Sequence, residues 1–132
     1  NMTNPGGFQK ERDGFFAWLR ENRILGNNFY IICGDRHWQY YSIHPTGIEE
    51  FSTSAIVNEN SRLGRGRGDP LSNDPKGLIK QPYTNKTPIG GFFKFTLQPG
   101  EKPKALFRWY DDHGVEQYSV VKEAVVRRTS TQ

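Results

Sequence analysis

A chain of 132 residues with 34% hydrophobic, 24% charged and 14% aromatic residues carries enough large rings for one core, which excludes a disordered polymer. Its net charge of +4 suits an anionic ligand or an acidic partner and is too small to point to nucleic acid by itself. A single cysteine, Cys33, excludes an intrachain disulfide and a C-x-x-C zinc site, and no apolar run approaches the ~18 residues of a membrane span.

Residues 4 to 25 predict an amphipathic helix. It would start at Asn4-Pro5-Gly6 and stop at Gly26, with Phe15, Phe16, Trp18 and Leu19 on one face. Residues 28 to 33 predict a strand. Its apolar run from Phe29 to Cys33 is continuous, which predicts burial on both faces. A helix feeding such a strand is the second half of a βαβ unit whose first strand would have to come from elsewhere. Gln39 to His44 and Ile48 to Ser54 predict a hairpin closed by His44-Pro45-Thr46-Gly47.

Residues 58 to 90 form a long basic loop, punctuated by glycines and prolines, in which no hydrophobic period survives. Three strands are then predicted, at 91 to 97, 105 to 110 and 115 to 121. Pro99-Gly100-Glu101-Lys102-Pro103 and Asp111-Asp112-His113-Gly114 join them. The expected class is α+β: one helix, one buried strand and several antiparallel strands in a single unit spanning 1–132.

The residues that carry chemistry lie at the carboxyl end of the first strand, in Cys33-Gly34-Asp35-Arg36-His37-Trp38. Ligand sites collect at that end of α/β sheets. Gly34 is expected to turn the chain sharply, so that Asp35 and His37 project one residue apart. A carboxylate and an imidazole are good donors to zinc, iron or manganese, yet a catalytic metal needs at least three protein ligands. On spacing alone, an Asp-x-His pair after a strand is more often a hydrogen-bonded loop feature than a metal site. Trp38 and Tyr40 read as packing residues, and His44 as a surface turn residue.

The segment Gly34-Asp35-Arg36-His37 resembles the last motif, Gly-His-x-His, of the calcineurin-like metallophosphoesterases, in the form of the PhoD-like branch, where Asp replaces the first His. Pro5-Gly6-Gly7-Phe8-Gln9-Lys10-Glu11-Arg12, Trp38-Gln39-Tyr40, Glu49-Glu50-Phe51 and Asn60-Ser61-Arg62-Leu63-Gly64 are similar to that branch as well. The likeness runs from about residue 5 to about 121. It implies an α/β/β/α sandwich and a phosphatase or phosphodiesterase of the alkaline phosphatase D type. Asp35 and His37 would ligate divalent or trivalent metal ions of a binuclear centre, and Arg36 would help hold the phosphate-ester substrate.

None of the superfamily's earlier motifs (Asp-x-His, Gly-Asp-x-x-Asp, Gly-Asn-His with an acidic residue, and an isolated His) is found ahead of Gly34 in this sequence. The only histidines are His37, His44 and His113. The resemblance therefore implies the carboxy-terminal part of an enzyme, inactive alone and partnered by the amino-terminal remainder. Arg62, Arg65 and Arg67 could form a positive rim or simply a solvated loop. The alternative function is an independent, basic, β-rich binding module for anionic ligands. A nucleic-acid role for Arg62 to Gly68 lacks the interleaved aromatics that stack bases.

Overall fold

The computed structural model describes residues 2–3 and 8–125. They form a helix α1 (Gln9–Glu21) and seven strands: β1 (Ile31–Cys33), β2 (Tyr40–Ile43), β3 (Glu49–Ser52), β4 (Lys80–Thr84), β5 (Gly91–Gln98), β6 (Lys104–Asp111) and β7 (Glu116–Glu123). A 3-10 turn covers Asn58–Asn60. The class is α+β, as the sequence predicts. Among the described residues, no helix is long and apolar enough to cross a membrane.

The helix ends earlier than Gly26. The backbone and side-chain amides of Asn22 both donate to the Trp18 carbonyl, at 2.9 and 2.8 Å. Arg23 then takes a left-handed φ of 55°, and Ile24 N–H donates back to the Leu19 carbonyl at 2.9 Å. This closes the last turn without a glycine. The expected start at 4–6 lies outside the described residues. Of the apolar face, Phe16 and Leu19 are buried; Phe15 and Trp18 stay exposed and stack on each other at 6.3 Å.

Four strands form one sheet in the order β1-β3-β2-β4, and three form a second in the order β5-β6-β7. The predicted hairpin is present, with Tyr40 opposite Ser52 and Ile43 opposite Glu49. Its turn is set by Gly47 at φ 88°, whose N–H donates to the His44 carbonyl at 2.8 Å. The three late strands form the predicted antiparallel meander, in register from Gly91↔Asp111 to Gln98↔Lys104 and from Lys104↔Glu123 to Trp109↔Tyr118.

The first strand departs from its expectation. It is three residues long, pairs only with β3, in parallel, and lies at the sheet edge with Ile32 47% exposed. The apolar run around it reflects division between two cores rather than burial of both faces of one strand. Phe29 and Ile31 pack against a cluster of Met2, Phe16, Leu19, Ile48 and Ile79. Tyr30 faces the other way, onto Phe51 and Phe107.

That second core holds the two sheets together. Phe51 stacks on Phe107 at 4.1 Å and on Tyr41 at 4.7 Å, and the Trp109 indole donates to the Ser52 carbonyl at 2.8 Å. Lys122 on β7 bridges to the first sheet, reaching Glu49 at 2.8 Å and the Tyr41 hydroxyl at 2.9 Å. Beside the β1 edge, Phe95 and Leu97 on the inner face of the meander remain exposed. With Tyr30, Pro99 and Pro103 they line an apolar cleft of about 710 Å³.

Candidate functional site

The loop from Gly34 to Gln39 leaves the carboxyl end of β1 and enters β2. Parallel pairing continues past both strands, since Thr53 N–H donates to the Cys33 carbonyl at 3.0 Å. The loop therefore starts from a fixed point. The turn is not made by Gly34 as expected. A Cβ there would meet only the Thr53 hydroxyl, at an ordinary 3.8 Å. The left-handed residues are Asp35 at φ 65° and His37 at φ 56°. Non-glycine residues in that region cost of order 1–3 kcal/mol each and persist only where the surroundings hold them.

What holds the loop, at Arg36, His37 and Trp38, is a second segment, 57–64, most of which the sequence placed inside a structureless loop. His37 Nδ1 lies 2.5 Å from the Asn60 carbonyl. Arg62 N–H donates to the His37 carbonyl at 2.9 Å, and Arg62 Nε donates to the Arg36 carbonyl at 3.3 Å. Gly64 lies flat on Trp38: a Cβ at this position would come within 2.3 Å of the indole ring. Trp38 is itself buried, with Nε1 donating to the Thr84 hydroxyl at 2.8 Å. Segment 57–64 is thus a strap laid along the motif, and glycine at 64 is a matter of space.

Below the loop the support is polar and closed. Gln39 is fully buried; it donates to the Tyr110 carbonyl at 2.9 Å and accepts from the Tyr83 hydroxyl at 2.8 Å. The Tyr40 hydroxyl donates to Glu50 at 2.6 Å and stands 3.6 Å from Cys33 Sγ. Burial, and then the Glu50 carboxylate, push both the Tyr40 hydroxyl and the Cys33 thiol above their ordinary values. Cys33 is thereby kept as a neutral thiol rather than a nucleophile. Trp38 and Tyr40 are packing residues, as the sequence predicts.

The chemistry of the loop follows from His37. A ring nitrogen facing a carbonyl must carry the proton, so Nδ1 donates to Asn60 and the tautomer of the neutral ring has its lone pair on Nε2. A backbone carbonyl behind an imidazole is the usual device for orienting a metal-ligating histidine. The Asp35 carboxylate is exposed and makes no ion pair among the described residues. The loop thus carries two residues whose side chains are of the kind that donate to a metal. Among the described residues no third His, Cys, Asp or Glu joins them. His44 lies at the far end of the β2–β3 hairpin, against Phe16 at 5.0 Å, and His113 sits exposed in the β6–β7 turn beside Asp112.

The basic residues separate in space. Arg65 pairs with Asp69 at 3.4 Å, and Arg67 donates to the Gly77 carbonyl at 2.9 Å. Only Arg62 of the three touches the motif loop. Arg36 has a buried Nε without a hydrogen-bond partner. Leaving such a donor unsatisfied costs about 1–3 kcal/mol. The sequence singled out Arg36, Asp35 and His37. It had no signal for the clamp of Arg62 on Arg36, since side-chain to backbone contacts across a loop leave no period to read.

No family model matches the chain, and neither a curated protein nor a solved structure matches it.

Proposed function

We propose that this chain is the carboxy-terminal part of a metal-dependent phosphoric ester hydrolase of the PhoD-like kind, to which it contributes the last metal-ligand loop. The observation that carries the reading is the Nδ1 contact of His37 with the Asn60 carbonyl, which presents Nε2 as a ligand. In this reading His37 Nε2 and the Asp35 carboxylate hold metal, and the left-handed backbone at both residues aims them from one short loop. The chemistry such a binuclear centre would supply is a hydroxide for in-line attack on phosphorus and neutralisation of the phosphate oxygens. Segment 57–64 fixes the loop, and Gln39, Tyr40 and Trp38 exclude water beneath it.

Two donors are too few for a catalytic site. The remaining ligands come from the amino-terminal part of the enzyme. The open edge of β1 and the apolar cleft beside Phe95 and Leu97 are the side on which that part adds. By itself the chain does not hydrolyse phosphate esters.

Titration calorimetry with Zn²⁺ or Mn²⁺, on the chain and on Asp35→Ala and His37→Ala, tests this. Weak binding that shifts the His37 ring signals, and that each substitution reduces by about tenfold or more, supports the half-site. Tight binding that survives both substitutions puts the metal elsewhere. No binding, with His37 undisturbed, leaves the basic binding module for anionic ligands as the better reading. Metal-dependent phosphatase activity in the isolated chain would show that the site is complete without a partner.

A further inference from the structure

We infer that Arg36 and Arg62 together form a receptor for a phosphoryl anion beside His37. The inference deepens the reading above by naming what binds the non-reacting oxygens of the substrate, and it can fail separately from the metal site.

Three observations carry it. The two residues are remote in sequence, yet the strap brings Arg62 onto the loop, with its N–H on the His37 carbonyl and its Nε on the Arg36 carbonyl. With Nε as the anchor, the terminal nitrogens of Arg62 make no hydrogen bond among the described residues, on an exposed side chain. The Arg36 Nε–H is buried with no acceptor, in a protein where nearly every buried donor has one.

The third observation concerns charge. Arg12, Arg65 and Arg108 are matched by Asp13, Asp69 and Glu116. Neither Arg36 nor Arg62 pairs with a carboxylate among the described residues. The guanidinium of Arg62, anchored on the Arg36 carbonyl, and that of Arg36 itself, both without counter-charges among the described residues, offer the planar, forked donors that match phosphate geometry. Arg65 and Arg67, occupied elsewhere, are not part of the receptor.

The probe is inorganic phosphate, titrated into metal-free chain at constant ionic strength and followed by the arginine Nε–H resonances. The same titration on Asp35→Asn removes the loop's one opposing carboxylate, so that a negative result cannot be charged to it. The expected result is a saturable shift of the Arg36 Nε–H signal. Phosphate affinity should fall roughly fivefold to tenfold in Arg36→Gln and in Arg62→Gln. Arg65→Gln and Arg67→Gln should change it less than about twofold.

Equal weakening by all four substitutions would mean diffuse attraction to a basic surface and would overturn the receptor. So would an Arg36 signal that never responds in either background. The metal reading is scored separately, by titrating Zn²⁺ into the unsubstituted chain and following the His37 ring signals. Phosphate shifts at the arginines without metal shifts at His37 would leave the receptor standing and remove the phosphatase reading. The reverse pattern would keep the half-site and remove the receptor.

Discussion

The imidazole of His44 stands edge-on to Phe16, with ring centres 5.0 Å apart, while Nδ1 contacts the Thr46 hydroxyl at 2.8 Å. The sequence placed it as a surface turn residue; in fact it is half-buried against the helix. Burial first, and Arg12 second, lower its pKa below the ordinary 6.5, with Asp13 and Asp74 opposing. Between the lowered folded value and 6.5 the unfolded chain binds more protons than the folded one. Stability is therefore independent of His44 above pH 6.5 and declines as pH drops below it. Denaturant midpoints measured across that range should show the decline, and His44→Gln should flatten it. An unchanged slope in the variant would assign the pH dependence to other groups.

Residue identity in the motif was legible because Asp and His one residue apart after an apolar run is a short, recognisable pattern. The backbone beneath it was not. Gly34 seemed the obvious hinge, yet Asp35 and His37 carry the left-handed dihedrals. The strap, distant in sequence, fastens that loop at Arg36 and His37.

At the scale of elements, alternation and turn chemistry located β2, β3 and the three meander strands within a residue or two. Two elements resisted. The run around β1 looked buried on both faces because its residues serve two cores. The strand β4, Lys80–Thr84, was absorbed into the long loop because it is a polar edge strand containing Pro82.

The rest of that loop is ordered by Asp74. Its carboxylate accepts from Leu78 N–H at 2.8 Å and Ile79 N–H at 2.9 Å, and its carbonyl accepts from Gly68 and Gly77. Asp74 is only 6% exposed, and the adjacent Ile79 belongs to the helix-side core. Asp74→Ala would orphan the buried Ile79 amide and the part-buried Leu78 amide and should cost about 3 kcal/mol in chemical denaturation. A loss below about 1 kcal/mol would show that the loop is held mainly by Ile79.

For the whole molecule, the first sheet lies between two cores: helix and loop residues on one side, the meander on the other. Aromatic content made a core predictable, but not its division. The division depends on which edge of each short strand is covered, a property of the assembled sheet rather than of any one segment.

The meander has a consequence for how the chain acquires its structure. Its strands are sequence neighbours joined by the short connections 99–103 and 112–115, whereas the β2–β4 pairing closes a loop running from Ile43 to Lys80. Early pairing of β5, β6 and β7 gives up little chain entropy, and the remote pairing gives up more. Native-state hydrogen exchange should find the β6 amides slowest and those of β1 fastest; equal protection would indicate one cooperative unit. With that ordering, Phe107 and Trp109 present a finished wall onto which Tyr41 and Phe51 collapse. The loop from Gly34 to Gln39, fastened by its strap, is among the last parts to take shape.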